Sequence, residues 1–492
     1  MSTIWLDVTT TLSWQRPAVG VVRVEAECAK SALSGKAGNL PIRFCAFNRD
    51  TGFFEIAAAD LKGALERIDG VEHAKPNSPQ TPGSPASAPQ KAPLVERLKQ
   101  LTLRLCSRLP SRYSSRLLHF AMSRKAGILE MIHGLRLIKH ALQSLALSLI
   151  RRRAQPAPQQ AIVQPVTALA RAEPPFKAGD VYISLGLDWN DKDLPQLRQL
   201  KRKLGLRVLL CCYDVIPVKA PQLCAGDVAP FFSNYFSNLA EAADKVVCIS
   251  RCSERDLLGL LDTLGAPVPE TSVITLGSDL PRPVKKQPEI DRPYILFVST
   301  IERRKNHEVL YRAYTRLLDA GVTDLPLMVF VGMSGWGISE LLNDLRLDER
   351  IKGHIEMRTN VTDEELNGLY GNALFTVYPS LYEGWGLPVA ESLAHGKFCL
   401  SSDAASLPEV GGEFVEYLDP LSVPAWAERI LFYARHPEEL ARKEQVIATR
   451  YVAPSWSDTA RSIFDKAHEL ANQSAPTSES RNPSQKAPEH HQ

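Results

Sequence analysis

The chain lacks the features that would place it across a membrane, in a secretory route or on nucleic acid. No apolar run reaches the roughly 18 residues that a membrane-spanning helix needs. The first residues show no basic stretch followed by an apolar one, so we expect no signal peptide. The nine cysteines form no C-x-x-C pair or disulfide-like framework, which favours reduced thiols in a cytoplasmic protein. A net charge of +3 gives no reason to expect nucleic acid as a partner.

What is present is a globular α/β pattern. Hydrophobic residues make up 44% of the 492 residues and charged residues 23%, as in an enzyme with an ample core. Strand-like and helix-like segments alternate, which predicts parallel, doubly wound sheets. Strands are expected at residues 4–8, 42–48, 53–57, 181–185, 207–212, 245–249, 294–298, 327–331, 355–358, 373–378 and 398–401. Helices are expected at residues 22–33, 194–204 and 231–243.

Composition also divides the chain into segments. We predict two Rossmann-like domains that face a cleft, with an extended link at residues 281–293. The first domain is expected to carry an insertion, the last helix to return to the first domain, and the polar, Pro/Ser-rich tail to be disordered. The predicted boundaries are 1–279 for the first domain, 70–172 for its insertion, 280–450 for the second domain, 451–471 for the last helix and 472–492 for the tail.

The most informative segment is YPSLYEGWGLPVAE, residues 378–391. It is typical of a strand end, a glycine-rich loop and the first turn of a helix that has Pro388 near its start. Glycines let the backbone approach a ligand, and a helix N-terminus attracts phosphate. Glu383 on the loop and Glu391 inside the helix lie eight residues apart, and carboxylates accept hydrogen bonds from sugar hydroxyls. The segment therefore predicts a site for a phosphate joined to sugars.

This string resembles the E-x7-E signature of the large retaining glycosyltransferase family numbered four, which has the GT-B fold. The resemblance implies that Glu391 binds the ribose of a nucleotide sugar. It also implies that Glu383 and the amides after it bind the donor sugar and its phosphate. The further donor-binding residues implied here are Gly384, Trp385, Gly386 and Leu387.

A second motif supports the resemblance. VSTIERRKN, residues 298–306, is similar to the family's V-G-T-x-E-P-R-K-N, with Ser299 and Arg303 in place of the usual Gly and Pro. Arg304 and Lys305 would place two cations at a helix N-terminus, where they suit a diphosphate leaving group. The alternative for this piece is a solvated basic turn.

Two first-domain segments match more loosely. RPAVGVVRVE, residues 16–25, resembles the family's loop over the cleft, so that Gly20 would approach the donor and Arg23 would face its phosphates. An ordinary βα turn is the alternative. Asp214 in CYDVIPV follows a strand at the edge where such sheets bind ligands, and it is expected to orient the acceptor hydroxyl or the donor sugar. A structural aspartate at a strand end is as consistent with this sequence.

Shorter matches complete the family pattern. Gly332 in VGMSGWG and Glu409 in SLPEVGG are expected near the donor, whereas Trp336 is expected in the core. Ser250 or Ser253 is expected to cap a helix. Residues 273–279 are similar to the strand that ends the family's first domain.

One Asp-x-Asp pair resembles a metal site of other glycosyltransferase folds. Asp191 and Asp193 stand at a helix start with no third ligand in the sequence, so capping is the better interpretation. We expect no metal and no cofactor, because Arg304, Lys305 and a helix dipole can stabilise the leaving diphosphate instead.

The insertion is strongly basic and outside the resemblance. Residues 94–153 hold thirteen Lys and Arg against two Glu, and apolar residues recur at helical spacing from 128 to 149. Such a helix can lie on an anionic membrane surface. It can equally pack against the protein or a partner, or form a disordered basic linker.

The function predicted is hexose transfer with retention from a nucleotide-diphosphate sugar to a glycan or lipid-linked acceptor. By analogy with mannosyl- and rhamnosyltransferases of bacterial surface polysaccharide and O-antigen assembly, GDP-mannose is the first candidate donor and a UDP-hexose the second. The enzyme is expected in the cytoplasm or on the inner face of the plasma membrane. The alternatives are a GT-B sugar-nucleotide epimerase and a non-catalytic GT-B scaffold that uses the insertion for binding.

Overall fold

The fold was analysed in a computed structural model that describes residues 2–15, 20–35, 41–70, 173–279 and 290–473. The predictions for the basic insertion and for nearly all of the C-terminal tail lie outside these residues. Two parallel-strand Rossmann-like sheets organise the described chain. None of the helices in the described ranges has the length and apolar character needed to cross a membrane.

The first sheet has seven strands in the order β3-β2-β1-β4-β5-β6-β7. The strands are β1 Ile4–Asp7, β2 Ile42–Asn48, β3 Gly52–Ile56, β4 Val181–Ser184, β5 Arg207–Cys212, β6 Lys245–Cys248 and β7 Glu270–Val273. Every residue of β1, β4 and β6 is buried, as expected of strands that helices cover on both faces. The strand order reverses between β1 and β4, where ligands bind in doubly wound sheets.

One edge of the first sheet departs from the parallel prediction. Strand β3 pairs antiparallel with β2, so that Phe44 lies opposite Ile56 and Asn48 opposite Gly52. The connection between the strands is a tight turn in which the Asn48 side chain accepts hydrogen bonds from the amides of Asp50 and Thr51. Because so short a connection cannot cross over the sheet, the two strands must run in opposite directions.

The second sheet has six parallel strands in the order β10-β9-β8-β11-β12-β13. They are β8 Tyr294–Val298, β9 Leu327–Val331, β10 Ile355–Arg358, β11 Thr376–Tyr378, β12 Cys399–Ser402 and β13 Val415–Leu418. Here the order reverses between β8 and β11, which pair directly through Leu296 and Thr376. The carboxyl ends of these two strands therefore mark the expected ligand edge of this sheet.

Helices flank both sheets. They are α1 Thr9–Ser13, α2 Gly20–Leu33, α3 Ala58–Gly70, α4 Asp188–Asp191, α5 Leu194–Leu204, α6 Ile216–Lys219, α7 Ala229–Ala242, α8 Arg251–Leu264, α9 His307–Asp319, α10 Ser339–Leu347, α11 Asp363–Asn372, α12 Leu387–Ala394, α13 Leu407–Gly411, α14 Val423–Arg435, α15 Pro437–Arg450 and α16 Trp456–Asn472. Asp193 caps α5 by accepting a hydrogen bond from the Gln196 amide, and Ser250 caps α8 by accepting one from the Ser253 amide. Both capping predictions are confirmed.

The last helix packs on the first sheet. Trp456, Ile463 and Phe464 of α16 are buried in one cluster with Val24 and Cys28 of α2. A Cβ on Gly277 would lie 2.4 Å from the Trp456 amide nitrogen, so this close approach requires glycine. The polypeptide thus crosses from the second sheet back to the first.

The same contact corrects one strand prediction. The sequence placed the last first-domain strand at residues 273–279, whereas β7 ends at Val273. After the Ile274 amide bonds to Cys248, the chain leaves the sheet to meet the start of α16. There the Ser278 amide donates to the Pro454 carbonyl. Buried Ile274 and Leu276 therefore pack against a helix, not within the sheet.

Candidate active site

The predicted site residues meet where the second sheet reverses its strand order. The basic turn Arg303–Lys305 follows β8, and the loop that carries Glu383 follows β11. Because β8 and β11 are neighbours, residues 79 positions apart in sequence come together at one edge. The Leu381 amide donates to the Arg304 carbonyl at 2.8 Å and joins the two loops directly.

Glu383 is buried at the centre of a charged network. Arg304 Nη1 lies 2.7 Å from Glu383 Oε2, and Lys305 Nζ lies 2.5 Å from Oε1. The hydroxyls of Ser380 and Tyr378 donate to Oε1 at 2.6 and 3.0 Å. Burial alone would raise the pKa of Glu383, but the two cations and these hydrogen bonds lower it to about 2. The carboxylate is therefore ionised at neutral pH.

The two cations are themselves held in place. Arg304 also donates to Glu302 and to the Tyr382 carbonyl, both at 2.8 Å. Burial opposes the charge on Arg304, but Glu383 and Glu302 together raise its pKa. For Lys305, burial and the neighbouring Arg304 lower the pKa in spite of Glu383. Two positive side chains thus stand side by side, oriented by carboxylates.

Glu391 lies in α12, which begins just after Gly386. Gly386 has a φ of 123°, in the region that favours glycine, and Pro388 occupies the first turn. The Tyr370 hydroxyl donates to Glu391 Oε2 at 3.1 Å, and the Tyr370 ring stacks on His395. Arg23 Nη1 approaches Oε1 at 3.7 Å. Burial raises the pKa of Glu391, although Arg23 and Tyr370 act in the opposite direction.

The loop between the two glutamates packs on the first domain. A Cβ on Gly384 would lie 2.3 Å from the Tyr213 carbonyl oxygen and 3.0 Å from Asp214 Cβ. Trp385 is buried in the first-domain core cluster with Tyr213 and Trp456, and half-buried Leu387 packs against the same cluster. Gly384 therefore allows the two domains to meet beside Glu383.

Asp214 stands on the first-domain side of this meeting. Its carboxylate accepts a hydrogen bond from the Ile216 amide at 3.0 Å, which fixes the turn before α6. Burial raises the pKa of Asp214, while Arg304 lowers it and Glu383 raises it further. The electrostatic influence of both residues places Asp214 in the same charged environment as Glu383, Arg304 and Lys305.

The other predicted donor-binding residues occupy different positions. Gly20 is exposed at the start of α2, next to residues that are not described. A Cβ on Gly332, which has a φ of 152°, would lie 2.0 Å from the Ser299 carbonyl, so this glycine packs β8 against β9. Glu409 uses both carboxylate oxygens on amides of α8, at 2.8 Å each. Trp336 is 43% exposed, so the expectation that it lies in the core is wrong.

The sequence missed several partners of these residues. Tyr378, Ser380 and Glu302 bond directly to Glu383 or Arg304. All three lie within the quoted motifs, so their proximity in sequence was an available signal. Tyr370 precedes Glu391 by 21 residues and carried no comparable signal.

The Asp-x-Asp pair is divided between two roles. Asp193 caps α5, as described, whereas Asp191 accepts a hydrogen bond from the Thr10 hydroxyl at 3.4 Å. Within the described ranges, no group of three or more His, Cys, Asp or Glu side chains is arranged to hold a metal ion.

Comparison with known proteins agrees with this geometry. Residues 282–446 match the model of the family "Glycosyl transferases group 1". This part of the chain is therefore similar to a group 1 glycosyl transferase domain. The resemblance predicted from the motifs at residues 298–306 and 378–391 is therefore confirmed.

Curated relatives carry similar names. The chain is 28% identical over 232 residues to O-antigen chain mannosyltransferase B of Escherichia coli, covering 46% of this chain and 60% of that protein. It is 27% identical over 271 residues to the serotype-specific mannosyltransferase WbdA of Escherichia coli, covering 53% of this chain but 33% of that protein. The chain thus spans less than two thirds of these relatives.

A solved structure matches over nearly the whole chain. Sucrose-phosphate synthase from Thermosynechococcus elongatus superimposes with a TM-score of 0.53, covering 96% of this chain and 99% of that one. Sequence identity is 17%, so this likeness speaks to the fold alone. The GT-B fold predicted from the sequence is confirmed.

Proposed function

We propose that this chain is a metal-independent glycosyltransferase that moves a hexose from a nucleotide-diphosphate sugar to a glycan or lipid-linked acceptor with retention of configuration. One observation carries the proposal. Glu383, paired with Arg304 and Lys305, stands at the carboxyl edge of β8 and β11, eight residues before Glu391 in α12. This arrangement offers a carboxylate for a sugar, two cations for a diphosphate and a carboxylate for a ribose.

Arg304 and Lys305 are the proposed diphosphate ligands. Both are largely buried, so their attraction for phosphate oxygens is less screened than at a surface. The first turn of α12 adds amides without intrahelical partners and the positive end of a helix dipole. Negative charge that develops on the leaving diphosphate is therefore stabilised by positive groups that are already in place. Electrostatic preorganisation of this kind lowers the activation barrier.

Glu391 is the proposed ribose ligand. The Tyr370 hydroxyl occupies one carboxylate oxygen and fixes the side chain, while the other oxygen faces Arg23 across the interface. A carboxylate held in this way can accept hydrogen bonds from vicinal ribose hydroxyls. Arg23, which reaches the same carboxylate from the first domain, is a proposed neighbour of the bound donor.

The chemistry requires no protein nucleophile. The bond between the anomeric carbon and the leaving phosphate oxygen breaks as the acceptor oxygen bonds on the same face. The acceptor proton passes to that phosphate oxygen. Because the pKa of Glu383 is about 2, this residue is ionised and does not supply a proton. Its negative charge instead faces the positive charge that develops on the sugar, and Asp214 orients the acceptor hydroxyl or the donor sugar.

GDP-mannose is the first proposed donor, and a UDP-hexose is the second. The support is that relatives from Escherichia coli are named as O-antigen and serotype-specific mannosyltransferases. The corresponding role is assembly of a bacterial surface polysaccharide in the cytoplasm. Residues 94–153 are a proposed contact with the anionic inner face of the plasma membrane.

A thermal-shift panel of GDP- and UDP-sugars tests the donor site. We expect one sugar nucleotide to raise the melting temperature of the wild type, and Glu391→Ala and Lys305→Ala to abolish the shift. Glu349→Ala, at an exposed ion pair of the same domain, is the matched control and retains it. If no nucleotide or sugar nucleotide shifts the wild type, the proposal fails. Adding EDTA to the transfer assay tests metal independence separately.

A further inference from the structure

The N-terminal part of α8, residues 251–256, belongs to the first domain but contacts the second domain at three points. The amides of Arg251 and Cys252 donate to Glu409, the Ser253 hydroxyl reaches the Gly384 carbonyl, and Asp256 accepts from the Tyr382 hydroxyl. These contacts join residues more than 120 positions apart in sequence. They lie within the first two turns of α8, so they act on the same rigid element.

Glu409 is built into the helix terminus. Oε2 accepts from the Arg251 amide and Oε1 from the Cys252 amide, each at 2.8 Å. A carboxylate here satisfies amides that have no intrahelical partner and lies at the positive end of the helix dipole. Since both oxygens are engaged by α8, Glu409 joins the two domains.

Ser253 forms the second contact. Its Oγ lies 2.9 Å from the Tyr213 carbonyl oxygen and 3.2 Å from the Gly384 carbonyl oxygen. One buried hydroxyl thus lies between the end of β5 and the loop of the second domain. The glycine at position 384 is what allows the two backbones to approach so closely.

Asp256 forms the third contact. Its buried carboxylate accepts hydrogen bonds from the Tyr382 hydroxyl and from Lys219 Nζ. Lys219 Nζ also stands 5.7 Å from the centre of the Tyr382 ring. The tyrosine is therefore held at its hydroxyl and along its ring by first-domain side chains.

Two of the three second-domain residues contacted by α8 are the sequence neighbours of Glu383. Tyr382 precedes it and Gly384 follows it, so α8 holds the loop on both sides of this carboxylate. The Tyr382 carbonyl also accepts a hydrogen bond from Arg304 at 2.8 Å. A displacement of Tyr382 would consequently move Glu383, whereas Arg304 is also held by Glu302.

We propose that residues 251–256 of α8 and Glu409 form an interdomain clasp that positions Glu383 for sugar transfer, with Tyr382, Asp256 and Glu409 as positioning residues. The inference rests on the proposed function, because it assigns the clasp to the transfer step. Opening the clasp leaves the proposed diphosphate and ribose ligands in place but misplaces Glu383 relative to the acceptor side.

The test compares Tyr382→Phe, Asp256→Asn, the double variant and Glu409→Gln with the wild type. Glu413→Ala, which removes an exposed ion pair with Arg450 in the same domain, is the matched control. The measurements are kcat and KM for transfer, Kd for the donor by calorimetry, and the melting temperature.

We expect kcat to fall about 10-fold to 100-fold in the clasp variants, because misplacement by about 1 Å can cost that much. Donor Kd should stay within about threefold, and the double variant should resemble its single parents because the two groups share one contact.

The outcomes separate the two proposals. Clasp variants that keep the control's kcat, or that lose only melting temperature, overturn the clasp and leave the proposed function intact. Clasp variants that lose donor affinity as strongly as kcat also overturn it, since the role would then be in donor binding. A wild type that binds no sugar nucleotide overturns the proposed function and the clasp with it.

Discussion

The two sheets can be compared at the places where their strand orders reverse, because each place holds buried ionisable side chains. Between β1 and β4, Asp7 accepts hydrogen bonds from the Tyr182 hydroxyl at 2.8 Å and from Lys192 Nζ. Glu25 and Asp188 belong to the same electrostatic cluster. Between β8 and β11, Glu383 lies against Arg304 and Lys305.

The balance of charge differs between these clusters. In the first, Lys192 is shared by Asp7, Glu25 and Asp188. Burial raises the pKa of Glu25 to about 8 and that of Asp188 to about 6. In the second cluster, Glu383 pairs with two cations, which lower its pKa to about 2 although the side chain is buried. The ratio of cations to carboxylates therefore decides whether a buried acid keeps its proton.

The difference fits a structural role for the first cluster and the proposed chemical role for the second. The first cluster is partly protonated near neutral pH and joins β1, α2 and the loop after β4. The second keeps its charges, as the proposed stabilisation of a diphosphate requires. Each prediction below changes one residue and is compared with a matched change elsewhere in the chain.

Lys192→Met should have the largest effect on stability. It removes the cation that compensates Asp7 in the interior, and breaking a buried pair typically costs about 3–5 kcal/mol of unfolding free energy. Urea denaturation measures the loss. Lys352→Met, at an exposed ion pair, should cost at most about 0.5 kcal/mol. Equal losses in the two variants would contradict a buried ionic cluster.

Glu383→Gln should have the largest effect on turnover. It removes the negative charge that we propose faces the reacting sugar, and loss of one such preorganised group lowers kcat by about 10²–10³. Steady-state kinetics at saturating donor measures the change. Glu349→Gln, an exposed carboxylate of the same domain, should retain wild-type kcat. A normal kcat in the Glu383→Gln variant would contradict a role of this residue in sugar transfer.

Glu25→Gln should change how stability depends on pH. The folded-state pKa of about 8 lies above the ordinary value of 4.5, so the folded protein holds a proton that the unfolded chain releases. Wild-type stability should therefore fall as pH rises from 4.5 to 8, by at most about 1.4 kcal/mol per pH unit. Gln mimics the protonated form of Glu25. The variant should therefore have a higher melting temperature than the wild type at pH 8 and the same melting temperature at pH 4.5.

The control for that measurement is Glu27→Gln, which alters a partly exposed ion pair with Lys30 on the same helix. Its melting profile should parallel that of the wild type. The effect of Glu383 on stability depends on pH in the opposite direction. Its folded-state pKa of about 2 lies below the ordinary value of 4.5, so its contribution to stability is lost as pH falls from 4.5 toward 2. A Glu25→Gln profile parallel to the wild type would show that Glu25 is ionised in the fold.

Tyr370→Phe should have the smallest effect. It removes the hydroxyl that fixes Glu391 but keeps the ring stacked on His395. Loss of one such hydrogen bond corresponds to about 1 kcal/mol, or about fivefold weaker donor binding by calorimetry. Tyr311→Phe, whose hydroxyl bonds to Asp348, is the control and should bind the donor normally. An unchanged Kd in Tyr370→Phe would contradict the positioning of Glu391.

Local signals accounted for most of the strands. The continuous apolar runs of β5, β8 and β9 were predicted with the observed boundaries, because strands buried on both faces need such runs. Strand β13 was missed, since its four residues, VEYL, include a charged Glu416 and are only partly buried. The antiparallel β3 was misassigned because alternation in sequence does not state the direction of pairing.

The site was predictable where its residues share a motif. Glu383 and Glu391 lie in one segment, and Arg304 and Lys305 in another, so each pair carried its own signal. The ion pairs between the segments depend on the adjacency of β8 and β11, which no local pattern specifies. For the same reason the sequence assigned Glu409 to the donor, whereas its contacts on α8 arise from the packing of two domains.

The most direct test of the central claim is to follow a sugar nucleotide and an acceptor glycan by NMR in the presence of the enzyme. The account predicts that GDP-mannose, or failing that a UDP-hexose, is consumed with release of the nucleoside diphosphate. The new glycosidic bond should keep the anomeric configuration of the donor. A product with inverted configuration would contradict the proposed mechanism, and the absence of any consumption across the donor panel would contradict the assignment of transferase activity.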